Sequence, residues 1–594
     1  MADDILSIKT SRIKQPYFFP IEVPIAVWDN GFDEGEDMRK DGKFKLIATI
    51  AMVCAVIQGL GTSASAADRK SPNREILHRQ AMEESLVPVR PGIPGRIPFW
   101  NRYAIQFMYA PAFDFQEVEG AINYRFSVHS PVNGKDYMFV AAKPWEALSP
   151  IWRDLPVGYL FMRVEGLNRR GDSIGIAGSR NFYRAAVFHG PYGAPVSEYR
   201  QSARRALRSL FRQKYIQRWK KDGKPDPDSN GLFSYPSKII GGIVDSMLIH
   251  AKLSSGSEAA EALGIAKIAA RYLMEISEPA GSPLEFFPPT YAGGRFSADR
   301  QGQIMVPEAA KVGNIYLDLF AATKDEMFLK AAEGIADTYL RTQTGGGTWP
   351  LMVESNTGKP LTENVCIPVE NLFLFDRLIV HYHLDRYQSA RDKVFRWLMD
   401  HPMRTFDWAG QFEDQSVAAP EYNNLTQHEA VSFSIYLFDH CRDDPFYLRR
   451  AEELLRFAED QFVIWEQPLN PKPKSGAIDR NSDHWLRIPC ALEQYHYYVP
   501  IDASAAKMIL GFTKAYKVTG NSLYRAKACS LADSMTRVQV DKGPNAGLYM
   551  VAWADMYRDE RHKPFTYYWV NCLVHDVRAL LALDEVLAGE ARKK

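Results

Sequence analysis

Carboxylates, histidines and amides cluster in a few polar stretches of the chain's second half. They occur as Glu413-Asp414, Glu421-Tyr422-Asn423-Asn424, Thr426-Gln427-His428-Glu429, Asp483-His484-Trp485 and Glu493-Gln494-Tyr495-His496-Tyr497. Two carboxyl groups flanking a glycosidic bond, one protonated and one ionised, suffice to hydrolyse it. Thr426 and Glu429 have capping-box spacing, and Glu308 and Glu370 each follow a proline where a helix would begin, so local structure accounts for these three acids. Glu421, Asp483 and Glu493 have no such explanation and stand beside aromatics and amides, which makes them the first candidates for acid and base or nucleophile. The same stretches support a second chemistry, removal of a carbon-bound proton next to a sugar carboxylate. That needs a base, an acid and groups that neutralise the carboxylate, roles open to Tyr422, His428, His484, Asn423, Asn424, Arg487 and Tyr497.

Aromatic residues accompany these groups. Trp349, Trp408, Trp485, Trp553, Tyr557 and Tyr568 lie in or beside the same polar stretches. Apolar faces of sugar rings stack on aromatic rings, so the set predicts a binding platform. Other chemistries lack their residues. Gly345-Gly346-Gly347-Thr348-Trp349-Pro350 has neither the lysine nor the strand context of a phosphate loop. His381-Tyr382-His383 is an i, i+2 pair whose members diverge on a helix, and no Gly-x-Ser-x-Gly elbow occurs. No metal site and no cofactor are expected.

These residues need positioning, and the hydrophobic periodicity shows how. Six helix pairs are predicted between residues 197 and 592. The outer members fall near 198–220, 257–277, 325–343, 386–401, 445–463 and 521–538, each with one apolar stripe. The inner members fall near 236–253, 307–322, 368–383, 426–441, 502–518 and 568–588 and are more apolar all round. Links after each outer helix are long and links after each inner helix are only a few residues, an asymmetry that short-loop statistics make unusual. Three inner helices end in an aromatic and a polar turn that opens the next outer helix: Phe320 to Asp325, Phe438 to Asp443 and Tyr516 to Asn521. If the pairs close into a ring, every long loop falls on one face and forms a mouth.

This pattern resembles the six-hairpin (α/α)6 toroids of glycoside hydrolases, polysaccharide lyases and sugar epimerases. The resemblance implies a mainly α toroid over residues 191–594, with inner-helix N-termini facing a common basin that favours anions. Before it, residues 97–190 read as short alternating runs, such as Ile122 to Val128 and Tyr159 to Val164, with turns at Asn133-Gly134 and Arg170-Gly171-Asp172. About seven strands are predicted there, and Phe113 to Phe126 with Leu155-Pro156-Val157-Gly158 resembles a fibronectin type III-like module, which implies a small all-β sandwich. Residues 67–96 are polar and proline-bearing, as a linker would be.

The N-terminus reads as an export signal: a basic stretch from Met38 to Lys45, an apolar run from Leu46 to Leu60, and Ala64-Ser65-Ala66 before a mature start at Ala67. Residues 1–37 then read as an over-extended gene start, and the apolar run is shorter than a membrane span. The five cysteines beyond the signal fit no knuckle or disulfide framework and read as free thiols. With 72 Lys plus Arg against 71 Asp plus Glu, no basic excess points to nucleic acid. Taken together, the residues predict a secreted or periplasmic enzyme, monomeric or weakly oligomeric, that hydrolyses acidic or uronate-bearing glycans. A uronate lyase or epimerase is the alternative, and a non-catalytic glycan-binding protein is the third reading.

Overall fold

The structure, a computed structural model, describes residues 74–89, 100, 104–225, 235–292, 300–413, 424–468, 487–495, 499–553 and 569–592. All of them belong to one compact unit, Pro72–Lys594. The proposed signal and the residues before it lie outside this set.

Six helical hairpins form the bulk of the unit. The inner helices are α5 (Pro236–Leu253), α7 (Pro307–Thr323), α9 (Val369–Tyr382), α12 (His428–Asp439), α14 (Asp502–Thr519) and α16 (Val570–Ala591). Each packs on the next in that order and α16 packs back on α5, so the inner helices close a ring. Around them stand α3 (Tyr199–Phe211) with its short continuation α4 (Lys214–Asp222), α6 (Gly256–Glu275), α8 (Glu326–Thr342), α10 (Gln388–Asp400), α13 (Pro445–Phe462) and α15 (Ser522–Arg537). A four-residue helix, α11 (Pro402–Thr405), follows α10. The fold is the expected (α/α)6 toroid, and helix limits agree with the sequence periodicity to within a few residues.

Local chemistry fixes the tight turns. Lys324, His383 and Gly520 close α7, α9 and α14 in the left-handed conformation, at φ of 58°, 57° and 70°. Asp325, Asp444 and Asn521 then cap α8, α13 and α15 by accepting the N–H two residues on. Ring closure needs a small residue: a Cβ on Gly242 of α5 would stand 3.2 Å from the Asn571 backbone of α16.

The long links all lie at the inner-helix N-termini, where they are stitched into a rim. Strands β6 (Gln303–Met305) and β7 (Met352–Glu354) pair two of them. Gln411 joins the next by accepting the Ile367 N–H at 2.9 Å and donating to Val365 O at 2.8 Å. Bridges Thr426–Gln494 and Ile501–Ala552 carry the rim onward, beside the short pair β8 (Val463–Ile464) and β9 (Cys490–Ala491).

The front of the unit departs from expectation. Strands β1 (Gln106–Phe107), β2 (Asn123–Ser130), β3 (Lys135–Ala141), β4 (Gly158–Leu167) and β5 (Ser173–Arg184) make a single five-stranded sheet in the order β1-β5-β4-β2-β3. All pairs are antiparallel except β1 with β5. Both predicted strands and both predicted turns are present, but the described residues between 104 and 189 form no second sheet and hence no fibronectin-like sandwich. The reason is compositional: Phe113 and Trp152, the latter on the short helix α2 (Ser149–Trp152), pack on Phe182 of β5 beside Phe107 of β1 and take the place of an opposing sheet. The predicted linker also contains a helix, α1 (Arg74–Ser85), because Leu77, Ala81 and Ser85 recur every four residues and are buried, with α15 alongside.

Sheet and ring share a core. The buried Asp460 carboxylate of α13 accepts the N–H groups of Met108 and Tyr109 at 2.5 and 2.7 Å. Beside it, Lys527 of α15 bridges Glu84 of α1 and Glu459 of α13 at 2.6 and 2.7 Å. Among the described residues no helix is long and apolar enough to cross a membrane, and Cys366, Cys441, Cys490, Cys529 and Cys572 are free.

Candidate functional site

Polar side chains from the first two turns of all six inner helices meet at the mouth end of the ring. α5 supplies Lys238, α7 Glu308 and Lys311, α9 Glu370, α12 His428 and Glu429, α14 Lys507, and α16 His575. Six of these eight are half-buried although helices surround them on every side, which makes them the wall of a basin; Glu308 and Lys507 are buried behind it. Below, Arg578 of α16 binds Asp245 of α5 at 2.5 and 2.9 Å and Asp318 of α7 at 3.3 Å, while Arg377 of α9 holds Asp318 at 2.7 Å. This chain of charges ties four inner helices together as a floor.

The basin's charges are arranged rather than merely numerous. Lys311 donates to Glu308 at 2.7 Å; burial disfavours its charge, but Glu308, with Glu370 and Glu429 nearby, outweighs that and holds the ammonium above its ordinary value. Lys507 donates to Ser432 Oγ at 2.9 Å, and burial draws its pKa down against the pull of Glu370 and Glu429. Lys238 pairs with the buried Glu413 of the rim and lies 5.3 Å from the centroid of Trp569, a cation–π contact. Burial alone would raise the Glu413 carboxyl, yet Lys238 keeps it below its usual range.

His428 and His575 face each other edge to face, with ring centroids 5.8 Å apart and an interplanar angle of 81°. Burial, then Lys507 and Lys311, hold both imidazoles well below their ordinary value, so both are neutral at physiological pH. Glu429 moves the other way: burial pushes its carboxyl up to about 7, against Lys311 and Lys507. Its Oε2 is buried without a hydrogen-bond partner among the described residues. Two neutral bases and one readily protonated acid therefore share a basin with Lys238 and Lys311 in its wall and Lys507 behind it.

Behind this wall, between α14 and α16, lie the buried Asp502 and Asp576. Burial pushes Asp502 up to about 7 and Asp576 well above its usual range, with Asp502 as the second cause. The hydrogen-bond partner of the buried Asp576 carboxyl is Asp502 itself. Carboxyls so placed share a proton, because two like charges cannot both ionise there.

The sequence-derived candidates divide three ways. Of the proposed catalytic set, His428 stands in the basin. Half-buried Glu493 lies beside it, its carbonyl accepting from Thr426 Oγ1 at 2.9 Å and its charge acting on Cys572 of α16. Glu421, Tyr422, Asn423, Asp483, His484, Trp485, Tyr497, Tyr557 and Tyr568 lie outside the described residues. The others are placed elsewhere. Trp349, Trp408 and Trp553 are fully buried in the core, with Trp349 packed on Tyr339 and Phe375. They support the rim from beneath and are no sugar platform in this structure. Asn424 donates to Gln494 at 2.7 Å, tying two rim loops together. Arg487 has Arg537 at the end of α15 as its charged neighbour and so stands away from the basin. The capping box also fails: Thr426 Oγ1 binds Gln427 and Glu493, which leaves Glu429 free to face inward.

Sequence reasoning passed over Lys238, Lys311, Lys507 and His575. A signal was present: each falls among small and apolar residues in the first two turns of an inner helix, as in Ser504-Ala505-Ala506-Lys507-Met508-Ile509-Leu510. A charge at such a position faces either a partner or an internal cavity.

No protein-family model matches the chain, and no curated protein sequence matches it. Several solved structures are similar in shape. A family 76 glycoside hydrolase from a bovine Bacteroides thetaiotaomicron strain is 11% identical over 79% of this chain and 94% of its own, with a TM-score of 0.42. Cellobiose 2-epimerase from Spirochaeta thermophila is 13% identical over 66% of this chain and 98% of its own, at 0.45. An unsaturated glucuronyl hydrolase specific for heparin is 12% identical over 66% and 98%, at 0.42. At these identities and TM-scores the similarity assigns neither activity nor residue roles.

Proposed function

We propose that the chain is a carbohydrate-active enzyme that binds a uronate-bearing glycan in the basin and removes the proton next to the sugar carboxylate. The paired neutral imidazoles of His428 and His575, ringed by lysines, carry this reading. After burial, the largest charge effects on both rings come from Lys507 and Lys311, which disfavour positive charge there. A transition state that gains negative charge, as an enolate does, is stabilised there; one that gains positive charge, as in glycoside hydrolysis, is not. The bound carboxylate would offset the lysines and raise the imidazoles toward working range.

The electrons balance as an elimination. One imidazole takes the C5 proton, the C–H pair becomes the C4–C5 double bond, and the C4–O4 bond breaks as Glu429 protonates the leaving oxygen. The two rings stand too close together for a sugar between them, so they approach the substrate from one side. That favours elimination over epimerisation, which needs proton donor and acceptor on opposite faces of the carbon. One observation favours hydrolysis instead: the unpaired Oε2 of Glu429 and its carboxyl near neutrality suit a general acid beside a second carboxylate. In this reading the apolar segment from Leu46 to Leu60 serves export.

The test is to incubate the chain from Ala67 with polygalacturonate and other uronate polymers while following reducing ends and the ultraviolet absorbance of an unsaturated uronate. Both signals together support elimination; reducing ends alone move the assignment to hydrolysis with Glu429 as acid.

A further inference from the structure

The first outer hairpin carries a charge distribution that the basin does not use. From Tyr199 to Lys224 the chain has ten Lys or Arg and one acid, Asp222, in a protein whose net charge is only +1. In the structure this segment is α3 and α4, and against the Pro544–Ala546 turn of the last long link it forms a groove of about 1010 Å³. Arg204, Arg205, Arg208, Arg212, Lys214 and Arg218 line it, and no Asp or Glu does. All six are exposed.

These charges are not explained by folding. Arg204 and Arg208 on α3 and Arg212 at its C-cap follow one another at i, i+4, a spacing at which like charges destabilise a helix. Arg208 meets Glu258 at 3.4 Å, and Arg205 donates to the carbonyls of Val540 and Asp541. The side chains of Arg204, Arg212, Lys214 and Arg218 make no ion pair or hydrogen bond with the described residues. A concave surface with several unpaired guanidinium groups is built to be neutralised by an anion with many charges.

We infer that this groove is a second binding site, which holds a stretch of acidic polysaccharide outside the ring. Guanidinium forks match carboxylate and sulfate groups two bonds at a time, and regularly spaced charges along a chain would engage several forks at once. A glycan fits better than nucleic acid, because the lining offers Tyr215 as its one aromatic ring for stacking bases. It fits better than a membrane, because the lining is concave and has no large aliphatic side chain to insert. The choice of glycan as occupant rests on the proposed function of the basin; the anion site itself does not.

The test uses the whole chain and two readouts. Affinity for polygalacturonate and for heparin is measured across a salt series for the parent, for Arg218→Gln, and for Arg204→Gln/Arg212→Gln/Arg218→Gln; turnover of a short oligouronide is followed in parallel. The expected result is affinity at least about 10-fold weaker in the triple variant, an intermediate value for Arg218→Gln and a shallower salt slope, with short-substrate turnover unchanged. Unchanged polymer affinity in a folded triple variant overturns the proposal. So does tighter parental binding to duplex DNA or to phosphatidylglycerol vesicles than to either glycan. If the parent binds polymer through the groove but turns over no uronide, the groove stands and the reading of the basin falls.

Discussion

At the scale of single residues, the account rests on proton affinities set by position. With the imidazoles as the proposed neutral bases, activity should be lost as the pH falls through their pKa values. Lys507 is one of the cations that keep those values low. Lys507→Met should raise them and move the acid limb of the pH–rate profile upward, a shift read directly from kcat/KM against pH. His428→Ala or His575→Ala should lower turnover by about 10²–10⁴-fold with little change in melting temperature, since both side chains are half-buried. Asp576 supplies a stability test with a definite sign. Its folded pKa lies above the unfolded value, so the folded state holds the extra proton and loses stability as pH rises above about 4. Asp576→Asn keeps the shape without the proton; its melting temperature should exceed the parent's above about pH 7, with the gap closing toward about pH 4. Sequence reading reached His428 and Glu493 because polar loops draw attention. It passed over the lysines and His575, because a charge in a helix reads by default as part of a solvated face until the ring shows that the face points inward.

At the scale of elements, most of the fold was legible. Apolar periodicity, capping Asp and Asn residues, and the alternation of long and short links specify six hairpins, and the ring follows once α16 meets α5. Gly242 is where that closure is tightest, with the Asn571 backbone 3.2 Å from a Cβ position. Gly242→Val overpacks the seam and should cost about 1–3 kcal/mol, measured by denaturant unfolding. Asn521→Ala removes the cap on α15 and should cost about 1 kcal/mol by the same measurement. The loop tryptophans were misjudged for an equally physical reason. Links this long reach into the shared core, and Trp349, Trp408 and Trp553 are buried there. The sandwich was misjudged because alternation along β2 and β4 reveals a sheet's buried face without revealing what covers it; here Phe113 and Trp152 of α2 do.

At the scale of the molecule, sheet and ring behave as one body because charges as well as apolar surface cross between them. Asp460 binds two N–H groups of the sheet region, and Lys527 joins α1, α13 and α15. Calorimetry should show a single unfolding transition for the chain from Pro72, and Asp460→Ala should lower it, at about 1–3 kcal/mol for each N–H left unpaired. The central claim is that the ring's basin moves a proton at carbon next to a carboxylate, and one measurement reaches it directly. A uronate oligosaccharide is incubated with the protein in water labelled with both deuterium and heavy oxygen, and the products are weighed by mass spectrometry. The account predicts an unsaturated product with no heavy oxygen at the new reducing end, and no product from His428→Ala/His575→Ala. Heavy oxygen at the anomeric carbon of a saturated product would contradict it.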